Sequence, residues 1–358
     1  MTSMRAAVCR EFGKPLTIET VTLAPPTGRA IEVTLEACAI CHSDISYADG
    51  AWGGTLPAVY GHEAAGRITA LGEGVTGFAM GERVIVTLMR ACGGCAPCTT
   101  GHPATCTAPV GPDPLTLADG APCHQAMATG AFAEKVVVDQ SQIARIPKGL
   151  SADVASLLSC GVITGIGAVV NSGGLRPGED AVVIGAGGVG LNAIQGARLA
   201  GARRIVAVDM VPGKLEDARA FGATDTILAT RPAPWDDLFQ MIGKGADAVF
   251  VTVGAAPVYT SAPNYLARGG RLVMVGMPAS GAMSEYDAGT MAAYGQRLIG
   301  SKMGDTVLAR DIPWLADLYL QGRLKLDELI SGRWPLEEIN EAIADTKSGK
   351  SRRNVIVF

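Results

Sequence analysis

The feature that most constrains how this chain can fold is a glycine-rich turn between a strand and a helix. The apolar run Ala181–Ile184 leads directly into the sequence GAGGVG at positions 185–190, and a helical pattern follows. Gly185 permits the tight turn, Gly187 lets the backbone approach a pyrophosphate, and Gly190 lets the helix pack on the strand. The helix N-terminus offers free N–H groups and a partial positive charge to phosphates. The pattern therefore predicts a dinucleotide-binding βαβ unit.

A carboxylate follows this turn at the spacing that such a unit needs. The next strand, Arg204–Val208, ends at Asp209, about 20 residues after Gly190, where a carboxylate can hold the adenosine ribose 2′-hydroxyl of NAD. A 2′-phosphate would meet like charge at Asp209, and the next residue is Met210 rather than an arginine. The predicted cofactor is therefore NAD rather than NADP. The alternative is a turn and helix cap that bind no ligand.

The pattern around this turn predicts an α/β fold, and a chain of 358 residues is long enough for two domains. Six runs, most of them apolar throughout, are typical of parallel strands covered on both faces: Ala181–Ile184, Ile205–Val208, Asp225–Leu228, Asp247–Val253, Arg271–Val275 and Arg297–Gly300. With helices between them, these runs predict a doubly wound, six-stranded parallel sheet.

The first 150 residues follow a different pattern, with short strands separated by Gly and Pro as in an all-β domain. The segment Ser151–Val170 is expected to form helices rich in small residues. After about Met303, a helix at Trp314–Tyr319 and a last strand at Asn354–Phe358 are expected to return to that first domain.

Composition excludes several classes of partner. The formal net charge is −4 and no basic run is present, so no nucleic-acid partner is expected. The chain has no uninterrupted apolar stretch of about 18 residues and no secretory pattern at its N-terminus, which predicts a cytoplasmic protein outside the membrane. In that compartment the nine cysteines are interpreted first as thiols or metal ligands rather than disulfides.

Four of these cysteines lie close together in a segment rich in Gly and Pro. They are Cys92, Cys95, Cys98 and Cys106. Four thiolates at this spacing can enclose one tetrahedral zinc ion, and such a site has no open position for a substrate, so its role would be structural. An iron–sulfur cluster and disulfides are the alternatives, and the absence of other electron-transfer features favours zinc.

A second group of possible ligands is dispersed along the chain. Cys41, His62 and Cys160 would supply two thiolates and one imidazole, which leaves a fourth position of a zinc ion open for chemistry. Taken singly, each could be an ordinary buried or turn residue. Sequence spacing alone does not join positions so far apart.

The segments around these three residues resemble the zinc-containing alcohol dehydrogenases of the medium-chain dehydrogenase/reductase superfamily. The similar motifs are CHSD at 41–44, GHEAAG at 61–66 and SCGVITG at 159–165, together with the spacing of the four cysteines. The resemblance covers essentially the whole chain. It implies a GroES-like catalytic domain at 1–161 and 303–358, with a structural zinc lobe at about 90–110, and a Rossmann domain at 162–302.

The resemblance also implies roles for individual residues and two zinc ions per subunit. The implied zinc ligands are Cys41, His62 and Cys160 at a catalytic site, and Cys92, Cys95, Cys98 and Cys106 at a structural site. The implied cofactor contacts are His42, Thr164, Gly185, Gly187, Gly188, Val189, Gly190, Asp209, Lys214, Val275 and Arg353. Ser43 would accept the alcohol proton. Asp44 and Glu63 would lie just outside the ligands, with Asp44 holding the His62 ring.

One position departs from the family pattern. Many relatives have a histidine where this chain has Ser46, and that histidine completes a proton relay to solvent. Because a serine is not a base near neutral pH, we expect the proton to leave through water or buffer.

Trp52, Leu88 and Met89 match positions that line the substrate pocket of relatives, which predicts an apolar slot.

The expected activity is reversible oxidation of a primary or small secondary alcohol, aromatic alcohols included, with NAD. Polyol dehydrogenases typically have a glutamate where Cys160 stands, and the arginine expected of a glutathione-dependent formaldehyde dehydrogenase is not identifiable. A non-catalytic relative that binds NAD is a further alternative.

The strand Arg271–Val275 and the sequence GMP at 276–278 suggest a sheet extended between subunits, with a homodimer expected first and a tetramer second.

Overall fold

The computed structural model describes residues 1–358, and contacts divide them into two compact units. The first unit comprises Met1–Cys160 and Val307–Phe358, and the second comprises Gly161–Thr306. These limits differ by a few residues from the domain boundaries expected from the sequence.

In chain order the strands are β1 (Thr2–Cys9), β2 (Thr17–Leu23), β3 (Ala30–Ala39), β4 (Ala58–Val59), β5 (Glu63–Leu71), β6 (Arg83–Thr87), β7 (Leu115–Leu117), β8 (Pro122–Gln125), β9 (Lys135–Asp139), β10 (Ile143–Arg145), β11 (Asp180–Ile184), β12 (Arg204–Asp209), β13 (Asp225–Leu228), β14 (Ala246–Val251), β15 (Leu266–Met274), β16 (Arg297–Gly300), β17 (Ile330–Pro335) and β18 (Arg353–Val357). The α-helices are α1 (His42–Ala48), α2 (Ala96–Thr99), α3 (Ala152–Ser156), α4 (Gly161–Gly167), α5 (Gly188–Leu199), α6 (Pro212–Phe221), α7 (Trp235–Ile242), α8 (Ala256–Ser261), α9 (Ala288–Tyr294), α10 (Leu308–Leu320) and α11 (Ile339–Lys347).

The second unit contains the predicted parallel sheet of six strands, in the order β13-β12-β11-β14-β15-β16. Every strand pair in this sheet is parallel. Its central strands form an apolar core that includes Val182, Val206, Val249 and Leu272. The strand order reverses between β11 and β14, so the chain leaves the sheet centre in opposite directions on either side of that point. Ligands of doubly wound sheets bind beside the carboxyl ends of the strands at such a reversal.

The first unit is the predicted β-rich domain. Strands β1, β2, β7, β8 and β4 form a closed barrel. A second sheet has the order β10-β6-β5-β3-β18-β17, with β9 also paired to β3. The last strand, β18, pairs antiparallel with β3 through Val355 and Ala39, so the C-terminus returns to the first unit as expected.

Two helical segments differ in length from the predictions. Helix α10 begins at Leu308, six residues before the predicted start at Trp314, and contains Pro313. Proline removes a backbone donor and commonly interrupts a helix, which made the first half of α10 appear non-helical in the sequence. The helical stretch expected at 151–170 is broken at Cys160, whose backbone is non-helical at φ −149° and ψ −67°.

No single helix has the length and apolar character needed to cross a membrane, although one bent pair, 152–159 with 161–172, satisfies those two criteria taken together.

Candidate active site

Antiparallel strand pairing brings the dispersed candidate ligands together in the first unit. Cys41 follows β3 and His62 precedes β5, and the ends of these two strands pair through Ala39 and Glu63. Cys160 reaches the same place from the break before α4. Cys41, His62, Glu63 and Cys160 are all buried, and one ligand atom from each lies within 4.8 Å of the others. The sheet register thus joins Cys41 to His62, and the break before α4 adds Cys160, about 120 residues after Cys41 in the sequence.

The Asp44 carboxylate orients the His62 ring. Oδ1 of Asp44 lies 2.8 Å from Nδ1 of His62 and accepts from the backbone N–H of Gly61 at 2.9 Å. Its Oδ2 accepts from the backbone N–H of Cys41 at 3.0 Å, which also caps helix α1. Because an ionised carboxylate only accepts hydrogen bonds, Nδ1 carries the proton and Nε2 is left as the metal-binding nitrogen. This contact is the one that the resemblance implies for Asp44.

The donor set fits a zinc ion. Nε2 of His62 is fully buried and makes no hydrogen bond of normal geometry, a costly state that a metal would relieve. Burial alone would lower the pKa of His62, but the Asp44 carboxylate raises it well above its usual range, so a metal must displace a proton there. Two sulfurs and one imidazole are ligands that zinc prefers, and they leave room for a fourth.

The two thiols of this group form a hydrogen bond with each other. A hydrogen bond from Cys160 lowers the pKa of Cys41, although burial opposes the shift, and His62 and Arg353 lower it further. The same hydrogen bond and burial raise the pKa of Cys160. One of the two sulfurs is therefore a thiolate more readily than an isolated buried thiol would be, and the thiolate is the form that binds metals.

The Glu63 carboxylate lies beside the three candidate ligands, with one oxygen within 4.8 Å of the ligand atoms of Cys41, His62 and Cys160. Its expected place just outside the ligands of a zinc ion stays a prediction. Glu63 forms a buried ion pair with Arg353 from β18. Burial raises the pKa of Glu63 to about 7, although Arg353 opposes this shift. The expected contact of Arg353 with a cofactor phosphate stays a prediction.

The four clustered cysteines form a separate group on the surface of the same unit. One ligand atom from each of Cys92, Cys95, Cys98 and Cys106 lies within 4.8 Å of the others, and all nine cysteines of the chain are free thiols. Backbone N–H groups of Cys92, Gly94 and Cys95 point at sulfur atoms at 3.3–3.4 Å. Hydrogen bonds from the backbone lower the pKa of Cys95 to about 6. The backbone also lowers the pKa of Cys106, whereas burial raises the pKa of Cys98 to about 11, so the thiolate form is favoured at Cys95 and Cys106. Four sulfur atoms so close together fit a closed structural zinc site.

In the second unit, the glycine-rich turn has the geometry that its sequence predicts. Gly185 has φ +97°, a conformation that residues with a side chain rarely adopt. A Cβ on Gly190 would lie 1.8 Å from the carbonyl oxygen of Gly185, whereas the space around Gly187 is open. The Asp209 carboxylate accepts from the backbone N–H of Ala186 at 2.8 Å, which ties the end of β12 to the turn.

Sequence reasoning missed Thr252, which follows β14 at the reversal of strand order. Its hydroxyl donates to the carbonyl oxygens of Ile184 and Gly185 at 3.0 and 2.9 Å, so it fixes the turn from the neighbouring strand. A polar residue directly after an apolar strand is the signal that could have identified it.

The remaining predicted cofactor contacts are distributed over both units. His42 and Ser43 begin helix α1 in the first unit, with His42 exposed and Ser43 half-buried. In the second unit, Thr164 is buried in α4, while Gly188, Val189, Lys214 and Val275 are partly exposed. Their roles toward a cofactor stay predictions.

The residues expected to line a substrate pocket have mixed environments. Trp52 is half-buried and packs edge-on against Tyr47, with the ring centroids 5.0 Å apart. Met89 is buried and borders a cavity of about 490 Å³ that none of the candidate zinc ligands lines.

Comparisons with known proteins agree with this architecture. Residues 28–148 match the alcohol dehydrogenase GroES-like domain, and residues 188–321 match the zinc-binding dehydrogenase domain. An NDMA-dependent alcohol dehydrogenase from Amycolatopsis methanolica is 34% identical over 364 residues, which cover 99% of this chain and 98% of the relative.

Two crystal structures are similar over the full length of the chain. An alcohol dehydrogenase zinc-binding domain protein from Burkholderia ambifaria has a TM-score of 0.95 at 35% identity, with 100% of this chain and 99% of that chain covered. Benzyl alcohol dehydrogenase from Acinetobacter calcoaceticus has a TM-score of 0.94 at 28% identity, with both chains fully covered. The chain therefore belongs to the zinc-type alcohol dehydrogenases of the medium-chain dehydrogenase/reductase superfamily.

Proposed function

We propose that this alcohol dehydrogenase uses zinc and NAD to oxidise a primary or small secondary alcohol, aromatic alcohols included, reversibly to an aldehyde or ketone. The observation that carries the proposal is the buried cluster of Cys41, His62 and Cys160, with the imidazole oriented by Asp44. Similarity to a benzyl alcohol dehydrogenase supports the inclusion of aromatic substrates.

Each residue of the cluster has a task in this proposal. Cys41, His62 and Cys160 would hold the zinc, and Asp44 would keep the His62 ring in the binding orientation. When bound, zinc supplies the Lewis acidity that lowers the pKa of an alcohol hydroxyl. Ser43, half-buried at the start of α1, would accept the alcohol proton and pass it towards the nicotinamide ribose. Because Ser46 stands where many relatives have the histidine that completes the proton relay, the proton would leave through water or buffer.

We further propose that a second zinc ion occupies the cluster of four cysteines and has a structural role. Metal analysis of the purified protein tests both sites together. About two zinc ions per subunit are expected, and one or none would contradict the proposal. The same result would separate this enzyme from a non-catalytic relative that binds only NAD.

NAD is proposed as the oxidant because the Asp209 carboxylate lies at the end of β12 beside the glycine-rich turn, where it can hold a ribose hydroxyl. A relative described as an NDMA-dependent alcohol dehydrogenase suggests a second candidate, in which the reaction requires NDMA. Steady-state rates with NAD, with NADP, and with NDMA added to either one distinguish these candidates.

The substrate is best identified with a panel of primary, secondary, aromatic and polyol alcohols, and formaldehyde with glutathione. The highest kcat/KM is expected for a simple or aromatic alcohol. A preference for polyols or for the glutathione adduct would support the corresponding alternative. Cys160 stands where polyol dehydrogenases typically have a glutamate, which makes that alternative less favourable.

We propose a homodimer as the assembly, with a tetramer as the alternative. Strand β16 is an edge strand of the parallel sheet, and Leu298 on it is exposed, as are Met277 and Met283 before it. An exposed edge strand with apolar neighbours is a common surface for pairing with a second copy. Light scattering coupled to gel filtration tests this.

Two metal sites that depend on reduced thiols favour a cytoplasmic location, and no nucleic-acid partner is proposed.

A further inference from the structure

A chain of buried hydrogen bonds begins at the turn before β10 and ends at the two segments that carry the candidate catalytic ligands. Gln142 is 1% exposed, and its Nε2 atom donates to the carbonyl oxygen of Thr87 at 3.0 Å and to that of Ala128 at 2.9 Å. Its Oε1 atom accepts from the backbone N–H of Asp139 at 3.2 Å. Both amide hydrogens and the amide oxygen of this side chain are therefore used.

The series of hydrogen bonds continues from Thr87 towards the candidate ligands. The Thr87 hydroxyl donates to the carbonyl oxygen of Ser159 at 2.6 Å, directly before Cys160. The Ser159 hydroxyl donates to the carbonyl oxygen of Ala64 at 3.1 Å, two residues after His62. Thr87 and Ser159 are both fully buried, and Thr87 is also the strand partner of Glu63. Two hydroxyl groups thus join the backbones of β6, β5 and the segment before α4.

At its other end, this series of hydrogen bonds holds a strained turn. Met127 and Ala128 both have φ +52°, a left-handed conformation that is uncommon for residues with a side chain. Because Gln142 joins Ala128 to the last residue of β6, the amide holds this turn against the strand. Only a side chain with two donors in one plane can join two carbonyl oxygens in this way, and a glutamate would place a charge against both.

We propose that Thr87 and Gln142 are positioning residues for the catalytic zinc: Gln142 fixes the end of β6, and the Thr87 hydroxyl fixes the peptide that presents Cys160. This inference rests on the proposed function, in which Cys160 is a zinc ligand. Neither side chain belongs to the ligand cluster, so both would act through the backbone of the ligands. Outer partners of ligands commonly change metal affinity 10- to 100-fold.

The test measures zinc retained per subunit by the purified holoenzyme over a series of chelator concentrations. Thr87→Val keeps the shape of the side chain and removes the hydroxyl. We expect it to weaken zinc binding at the Cys41–His62–Cys160 site by about 10- to 100-fold, while the zinc of the four cysteines is retained as in the wild type. Thr87→Ser, which restores a hydroxyl, should recover most of the affinity.

Two further variants make the result specific. Thr34→Val makes the same chemical change elsewhere in the same unit. The Thr34 hydroxyl donates to the hydroxyl oxygen of Thr69 at 3.2 Å, away from the candidate ligands. This variant should leave both zinc affinities unchanged. Gln142→Met removes both amide donors at nearly constant size and should weaken the same zinc site less than Thr87→Val does. If circular dichroism shows that Thr87→Val does not fold, Gln142→Met decides the question with the same assay.

The outcomes separate this inference from the proposed function. A wild type that binds zinc only at the four cysteines contradicts the proposed function and this inference with it. A wild type with two zinc ions, together with unchanged affinity in Thr87→Val or in the deciding Gln142→Met, contradicts the positioning role alone.

Discussion

The two cysteine-containing sites of the first unit use similar ligands but are built in opposite ways. The site of Cys92, Cys95, Cys98 and Cys106 lies within 15 consecutive residues, is partly exposed, and has Ala104 as its buried apolar residue. The site of Cys41, His62 and Cys160 is assembled from three distant segments and is buried. A site made of neighbouring residues can depend on the metal to order its own loop, whereas a buried site depends on the fold that surrounds it.

This difference predicts that the two sites fail differently. Damage to the buried site should abolish chemistry and leave the fold intact. Damage to the exposed site should destabilise its surroundings and affect chemistry less.

The largest effect is expected from Cys160→Ser. The hydroxyl is a much poorer zinc ligand than a thiolate, so the catalytic zinc should be lost and kcat/KM should fall by about 1000-fold or more. Zinc content should fall from two to one per subunit, with the Tm nearly unchanged. A variant that keeps two zinc ions and substantial activity would show that Cys160 is not a ligand.

Asp44→Asn should have the next largest effect. An amide in place of the carboxylate weakens the hold on Nδ1 of His62 and removes the charge that favours its proton. A loss of about 10- to 100-fold in zinc affinity at the buried site is expected, measured by chelator competition with the zinc of the four cysteines as internal reference. Equal weakening of both zinc sites would indicate a general structural defect instead.

Cys106→Ser tests the exposed site. Because this lobe has little apolar core, loss of its metal should unfold it locally and lower the Tm by roughly 4 °C, the size expected for about 3 kcal/mol in a chain of this length. Limited proteolysis should cut between residues 90 and 110, and kcat should change only a few-fold. A fall in activity as large as that of Cys160→Ser would abolish the distinction between the two sites.

The smallest effect is expected from Ser46→His, which would give the buried site a titratable route to solvent. A rate change of only a few-fold is expected, but the dependence of kcat on pH should acquire a limb near the ordinary histidine pKa of about 6.5. Ser46→Ala is the matched control and should leave the profile unchanged. If the histidine variant also leaves it unchanged, the proton does not pass this position.

The contiguous motifs could be predicted from the sequence because their geometry is local. The turn at 185–190 and the six strands around it are present as predicted, since glycine conformation and strand pattern are properties of neighbouring residues. The close spacing of the four cysteines likewise indicated their cluster. Helix α10 was predicted too short because Pro313 is tolerated within it, a tolerance that the local pattern does not show.

The dispersed contacts could not be predicted in the same way. Residue type and family resemblance indicated Cys41, His62 and Cys160, but the closeness of Glu63 to them depends on the register between β3 and β5. The roles of Thr252 and Gln142 depend on which carbonyl oxygens other strands present to them. Neither residue belongs to a motif, and hydrogen bonds to a backbone leave no signature in the sequence.

The sequence by itself determined the two classes of domain, the dinucleotide-binding turn with its carboxylate, and the presence of enough sulfur and imidazole for two metal sites. Tertiary structure decided which of those ligands meet, that the Glu63 carboxylate lies beside them, and that Arg353 lies buried against Glu63. The physical reason is that periodicity and turn chemistry act over a few residues. Strand register, by contrast, is set by the burial of whole faces, and it joins residues that the sequence keeps far apart.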